Sequence, residues 1–388
     1  MDFDLDESQQ AIFDLAEQII GDHSSHDRLR RLAADEDFCD RDCWAALAAA
    51  GVVGAAVPES HGGLGLGFLA TAMALQVVGA HASPVPLLST ALATAMPLAR
   101  FGSEAQQRDW LPGIAAGEII GAACLYEPGT VPARPATTAS AVERRSAASA
   151  GAADSDDSRS LVYVLDGFKP MVESGLDADL LVVPARLDDD STGVFLVPAS
   201  AAGTRRERVD VTTGRPMAAI TFSGVELGHE ALLGPGCGAE VVAWIEQRLN
   251  AGICMMMAGA AQSAIRLAAD YTKQRQQFDR PVATFQAVSN RAGDSYIDTE
   301  AITLTACQAA WRIDAGLPAD DQTAIARYWA AEAGFRVVHA ALHVHGGVGV
   351  DRDYPLHRYF LLARQLELTL GNGEEHLAAL GRSIAASG

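Results

Sequence analysis

From Gly238 to residue 386 the chain is almost continuously helix-forming, and that stretch limits the fold more than any other feature. Four long segments run near 238–273, 283–315, 319–345 and 355–386, separated by short breaks rich in glycine and proline. Segments of that length with breaks that short pack in alternating directions, so an antiparallel four-helix bundle is expected over 237–388. Residues 1–117 also read as helices. Asp6-Glu7-Ser8 precedes a periodic apolar pattern, Trp44 to Val53 is Ala-rich with a glycine stop, Pro84-Val85-Pro86 opens a further helix, and Ser103-Glu104 caps one that ends at Pro112-Gly113.

Between these helical blocks the character changes. Ile119 to Leu125, Leu161 to Leu165, Leu180 to Ala185, Gly193 to Val197 and Ala218 to Val225 are short, apolar and β-prone, punctuated by Gly, Pro and Asp. They predict a small β-domain over 118–236. Within it, 129–160 is rich in Ala, Ser, Thr and Arg without periodicity and is expected to be a mobile loop. The fold class is therefore α+β and mostly helical: an N-terminal helical domain, a middle β-barrel-like domain and a C-terminal four-helix bundle.

The formal charge is -20 and no run of basic residues exists, which argues against nucleic acid as a partner. The acidic start lacks the charged and apolar regions of a signal peptide, and no uninterrupted apolar stretch is long enough to span a bilayer, so a cytoplasmic protein is expected, with no membrane partner. The six cysteines are scattered, and no His or Cys cluster completes a metal site. The glycine-rich run His61 to Gly67 reads as a tight turn between helices, because the phosphate-cradling GxxxxGK[ST] spacing is missing.

Taken in order, the motifs resemble the acyl-CoA dehydrogenase family over almost the whole chain. Val57-Pro58-Glu59 with Gly62-Gly63-Leu64-Gly65 is similar to that family's "vPeeyGGlG", Gly102-Ser103-Glu104 through Trp110-Leu111-Pro112 to "Gs.eqk..wLp", and Leu233-Gly234 to "llG". Glu127-Pro128 stands at "TEP", and Asp166-Gly167-Phe168-Lys169 at "nG.K". Arg275-Gln276-Gln277-Phe278-Asp279-Arg280-Pro281 with Phe285-Gln286 resembles "R.QFG.Pi..fQ", and His343 to Gly349 resembles "Q.hGG.G". The resemblance implies FAD as cofactor and an acyl-CoA thioester as substrate. A carboxylate removes the α-proton, the flavin takes the β-hydrogen as hydride, and the FAD lies across a subunit interface with its ADP end held by the neighbouring chain.

By that resemblance the ADP-holding residues are kept. Arg275 matches the arginine that reaches the pyrophosphate and Phe278 the aromatic at the adenine end. Gln286 belongs to the same motif, His343 stands for the family glutamine, and Gly346 and Gly347 allow close backbone approach. Asp279 departs by replacing a glycine. The flavin-holding and catalytic half is eroded. Aligned without a gap on "ARv..IYEGT.EIQ", the segment Ala363 to Asn372 puts Leu370 on the catalytic glutamate and Asn372 on the flavin-contacting threonine. Met171-Val172-Glu173-Ser174 replaces the flavin-facing "[WF]I[TS]", and Tyr126-Glu127-Pro128 runs into Gly129-Thr130 rather than "aGSD".

Some family members carry the base on the first bundle helix, and there this chain has Leu249. Glu246 lies one turn earlier on the same face and is the remaining candidate base, set against an ordinary first-turn glutamate. Glu374 and Glu375 read as a solvated face or cap. Met255-Met256-Met257 and Cys254 read as core, with an adaptable acyl pocket as the alternative. His345 and His357 read as structural.

Three functions follow. The first is the base-lacking subunit of a bacterial heteromeric acyl-CoA dehydrogenase, resembling the steroid side-chain type. It would give the ADP-half contacts to FAD in a homologous base-bearing partner, in an α2β2 heterotetramer. The run Ser83 to Leu88 also looks like such chains. The second is a self-sufficient homo-oligomeric dehydrogenase with Glu246 as relocated base. The third is a non-catalytic acyl-CoA-binding or scaffold protein.

Overall fold

The computed structural model describes residues 5–34, 39–145 and 159–387. The helical start comprises α1 (Glu7–His23), α2 (His26–Leu32), α3 (Arg41–Ala49), α4 (Gly67–Ala80), α5 (Met96–Phe101) and α6 (Glu104–Ala115). Asp6 caps α1 reciprocally: its carboxylate accepts from the Gln9 amide at 2.8 Å and the Gln9 side chain accepts from the Asp6 amide at 3.1 Å. The apolar spacing Ile12, Ala16, Ile20 then points one stripe of α1 into the core. The helix expected after Pro84-Val85-Pro86 begins as a π-helical stretch, Leu88–Ala95, before tightening into α5. Gly63 is required by crowding in its turn, where a Cβ would sit 2.1 Å from the Val57 carbonyl.

The middle region forms one sheet from β1 (Gly121–Ala123), β2 (Thr138–Arg145), β3 (Arg159–Val172), β4 (Leu180–Arg186), β5 (Thr192–Pro198), β6 (Thr204–Val209) and β7 (Met217–Gly228). Its order is β1-β4-β2-β3-β7-β6, with β5 antiparallel to β4. Alternation feeds two cores at once. Leu180, Val182, Val194 and Leu196 face the helices, while Leu181, Val183, Phe195 and Val197 face the interior of the β-domain.

Two strands were not expected. β2 lies inside the segment read as a mobile loop, and pairs in register with β3 from Thr138 opposite Asp166 to Arg145 opposite Arg159. Its small, half-polar residues carry little β signal, and pairing with β3 supplies the order; 146–158 lie outside the described residues. β6 reads TRRERV and is exposed along its length, an edge strand protected by charge.

The C-terminal region comprises α7 (Gly238–Gln274), a hairpin of β8 (Gln276–Gln277) and β9 (Arg280–Pro281), α8 (Gln286–Asp314), α9 (Asp320–His345), α10 (Leu356–Leu368) and α11 (Gly373–Ser387). By length and composition α7 could cross a bilayer, unlike the reading above, but here it is the core helix, packed by α4, α8 and α9. It meets α4 backbone to backbone: a Cβ on Gly79 would lie 1.9 Å from the Met256 carbonyl, and one on Gly259 1.9 Å from that of Gln76. Cys254 and Met255 to Met257 are core, at most 2% exposed. The fourth expected segment is two helices, because the chain breaks between Leu368 and Gly373, where Leu370 and Gly371 take φ of 57° and 102°.

Candidate cofactor-binding site

Arg275 ends α7 and enters the β8–β9 hairpin, whose loop is Phe278-Asp279 with φ of 53° and 60°. Positive φ at both loop positions is the signature of a type I′ turn. Asp tolerates it better than most residues, which explains how the replaced glycine could be lost, whereas an aromatic residue holds it at a cost of about 1–2 kcal/mol. The turn lifts Phe278 off the surface, leaving it 87% exposed. Beneath it Phe285 takes the edge contact of Phe278 at 6.2 Å and the Arg280 guanidinium at 4.2 Å. The Arg275 side chain is exposed and has no hydrogen-bonding or ionic partner among the described residues. Gln286, the first residue of α8, and His343, in the last turn of α9, are also exposed.

The α9 end passes into Gly346, with φ 60° and ψ -139°, a conformation open essentially only to glycine. A Cβ on Gly346 or Gly347 would meet nothing within 4 Å. Nothing inside the chain therefore demands glycine at 347, while a ligand approaching the backbone from outside would. Arg275, Phe278, Gln286 and His343 are thus all exposed, and the backbone at Gly346 and Gly347 is open to solvent.

Underneath, Tyr271 stacks on His345 at 4.3 Å, and Tyr354 completes the cluster. His345 is 3% exposed, its Nδ1 donates to the Ala341 carbonyl at 2.7 Å, and burial lowers its pKa. Its neutral Nε2 thus accepts from the Tyr354 hydroxyl at 3.0 Å. His345 is structural, as its sequence context suggests. His357 is held likewise, Nδ1 donating to the Tyr354 carbonyl at 2.7 Å.

The flavin side differs. Glu173 and Ser174 line a cleft of about 50 Å³ with Pro84, Val85, Arg215 and Gln365. The Arg215 guanidinium reaches from the β-domain to the carbonyls of Ala82 and Ser83, at 2.6 and 2.8 Å. Burial raises the pKa of Glu173, against the pull of Arg215, and lowers that of Arg215 to about 10. Gln365 Oε1 is buried without a partner. The space suits a few waters, and a carboxyl group stands where the family presents a hydroxyl to the flavin. By the family resemblance this cleft stands on the flavin side, where a carboxyl and a guanidinium would suit the ring poorly, while an exposed arginine and an exposed aromatic residue would suit the ADP end.

Leu370 packs partly buried against the main core. The segment around it is held by Arg327 of α9, a fully buried arginine that sequence reasoning missed. Its guanidinium donates to the carbonyls of Leu366 at 3.0 Å, Thr369 at 2.7 Å and Gly371 at 2.8 Å, while Nε faces His376 Nε2 at 3.2 Å. The available signal was its place on the buried face of α9, between Thr323 and Ala330-Ala331. Asn372 caps α11: its side chain accepts from the Glu375 amide at 3.0 Å, and Glu375 Oε2 accepts from the Asn372 amide at 3.2 Å. Glu375 is thus a cap.

Two family-motif residues turn out to be a buried ion pair. Lys169 Nζ lies 2.5 Å from Glu127 Oε1, the carboxylate also accepting from Thr137 and Ala136. Glu246 lies on α7 partly buried, without a hydrogen-bonding or ionic partner among the described residues, and burial pushes its pKa up to about 7. It does not line the Glu173–Arg215 cleft. Leu249 is buried core. None of the six cysteines, all among the described residues, is in a disulfide.

The order of helices, sheet and helical bundle is that of the acyl-CoA dehydrogenase fold. Residues 6–118 match the acyl-CoA dehydrogenase N-terminal domain and 238–385 the C-terminal domain, and the chain belongs to this FAD-dependent family. It is 34% identical to acyl-CoA dehydrogenase FadE27 of Mycobacterium tuberculosis, over 99% of both chains. Among solved structures it resembles a variant of the Tcur3481-Tcur3483 steroid ACAD (36% identity, TM-score 0.87, 98% of both chains). It also resembles the ChsE4-ChsE5 complex of Mycobacterium tuberculosis (34% identity, TM-score 0.88, 99% of both chains).

Proposed function

We propose that this chain is the base-lacking subunit of a heteromeric, FAD-dependent acyl-CoA dehydrogenase. The observation that carries the reading is the contrast between its two cofactor-facing regions. The ADP-facing residues point outward with open space above Gly346 and Gly347, whereas the flavin side is a small cleft lined by Glu173 and Arg215. Leu370 can accept no proton, so the α-proton leaves to a carboxylate of a homologous partner. FAD, when bound, accepts the β-hydrogen as hydride. In this chain Arg275 would neutralise the pyrophosphate, Phe278 would lie at the adenine end, Gln286 and His343 would donate hydrogen bonds, and the Gly346-Gly347 backbone would permit close approach. The assembly we propose is an α2β2 heterotetramer in which each FAD is shared by two unlike chains. The likeness to the Tcur3481-Tcur3483 steroid ACAD and to the ChsE4-ChsE5 complex supports both a heteromer and steroid side-chain thioesters as the substrate class.

The test is flavin absorbance of the chain expressed alone and together with a base-bearing homologue. The lone chain is expected to be colourless, and the pair yellow with half as many flavins as chains; Arg275→Ala then strips the flavin. A lone chain that is fully yellow and oxidises an acyl-CoA sinks the proposal. One observation favours a second reading, self-sufficient catalysis from Glu246: the side chain lies partly buried on α7, and that burial pushes its pKa up to about 7, where a general base works well. That reading predicts activity from the lone chain, abolished by Glu246→Gln.

A further inference from the structure

The segments ending in Arg275 and in Gly346-Gly347 are far apart in sequence, and one cluster, built on buried His345 with half-buried Tyr271 and Tyr354, fastens them together. Tyr271 lies one turn before Arg275, whose amide donates to the Tyr271 carbonyl at 2.8 Å. Its ring stacks on that of His345 at 4.3 Å with planes 24° apart, and His345 directly precedes Gly346. Tyr354, between the glycine turn and α10, donates its hydroxyl to His345 Nε2 at 3.0 Å. His345 is thus held on three sides, with Nδ1 bonded to the Ala341 carbonyl at 2.7 Å.

We infer that Tyr271, His345 and Tyr354 are positioning residues that set Arg275 and the Gly346-Gly347 turn in mutual register for one dinucleotide. The inference rests on the cofactor-donating reading above. Neither tyrosine belongs to a motif that carries the family resemblance, and none of the three needs to touch the cofactor. The stack fixes the lateral relation of the α7 end to the α9 end. The hydroxyl bond fixes the rotation of the imidazole, and through it the start of the turn. Gly346 has no Cβ to restrict its backbone, so its conformation depends on such external support.

The test uses the complex co-expressed with a base-bearing homologue, with FAD titrated back into the flavin-free form. Tyr354→Phe removes one oxygen and keeps the ring. It is expected to raise the FAD dissociation constant roughly five- to tenfold, the range of a single supporting hydrogen bond, while leaving the melting temperature of the flavin-free complex unchanged. His345→Leu is expected to weaken FAD further, and His345→Gln, which keeps an acceptor near the Nε2 position, to recover part of the loss. Arg275→Ala is the control for the underlying reading. If Arg275→Ala strips flavin but Tyr354→Phe binds FAD like the parent, the positioning inference is wrong and the donor reading stands. If neither substitution moves FAD affinity, the donor reading fails and the inference fails with it. Should Tyr354→Phe prevent assembly, Tyr271→Leu is measured in its place, and unchanged FAD affinity there overturns the inference equally.

Discussion

Arg327 Nη2 donates to the Gly371 carbonyl at 2.8 Å, across the gap between α9 and the break that separates α10 from α11. With the bond to Thr369 at 2.7 Å, this flanks Leu370 and holds it in the left-handed region at φ 57°. Arg327→Met would leave three carbonyls without their donor. It is expected to lower unfolding free energy by about 3 kcal/mol or more, read from urea denaturation, and to speed amide exchange over 369–373. A variant as stable and protected as the parent would show that the clamp is dispensable.

The Glu127–Lys169 pair predicts strong coupling. Removing either partner strands a buried charge, so Glu127→Gln and Lys169→Met are each expected to cost about 3–5 kcal/mol. The double variant should cost far less than the sum, a difference a double-mutant cycle measures directly. Additive losses would mean that the two groups do not compensate each other.

Glu246 gives a pH dependence of known sign. Its folded pKa is raised from 4.5 to about 7, so the folded state favours the neutral carboxyl. That contribution is complete below the unfolded value and is lost as pH rises through the folded value. Glu246→Gln should therefore match the parent near about pH 4 and exceed it by on the order of 2–3 kcal/mol at about pH 8. No difference at the higher pH would place Glu246 in solvent.

The histidines act in the opposite direction. Burial, with Arg327 nearby, lowers His376 to about 4, and burial lowers His26, His345 and His357 as well. Lowered histidines stabilise the fold above their unfolded pKa, and that stability is lost as pH falls from about 6.5 toward 4. Thermal melts should shift downward across that window, and His376→Gln should flatten the slope. A parent profile flat from about pH 7 to 4 would contradict this arrangement.

On the proposed reading, Leu370→Glu places a carboxylate where the resemblance puts the base and leaves the cleft around Glu173 and Arg215 unchanged. The lone variant is expected to show no acyl-CoA oxidation in a dye-reduction assay. Measurable turnover would mean that only the base had been missing.

Much of the architecture was legible from local pattern. Periodic apolar runs marked α1 and α7 to α9, and short apolar runs between turn residues marked β4, β5 and β7, because burial of one face writes itself into spacing. The motif around Arg275 and Gly346 stood out in the sequence, and the structure leaves Arg275 exposed and Gly346 without a neighbour that a Cβ would meet. The α10–α11 break was not, because it depends on Arg327, some forty residues earlier, reaching three carbonyls. β2 was missed because its order comes from pairing with β3 rather than from its own composition.

By itself, then, the sequence determined the helix–sheet–helix order and the family. Only the tertiary structure decided that Glu127 and Lys169 pair, that Arg215 reaches the carbonyls of Ala82 and Ser83, that Glu246 lies partly buried on α7, and that Tyr271 and His345 join two distant segments. The division has a physical cause. Secondary structure and motif identity follow from interactions within a few residues, whereas partnership between buried charges and rings depends on which surfaces the folded chain brings into contact.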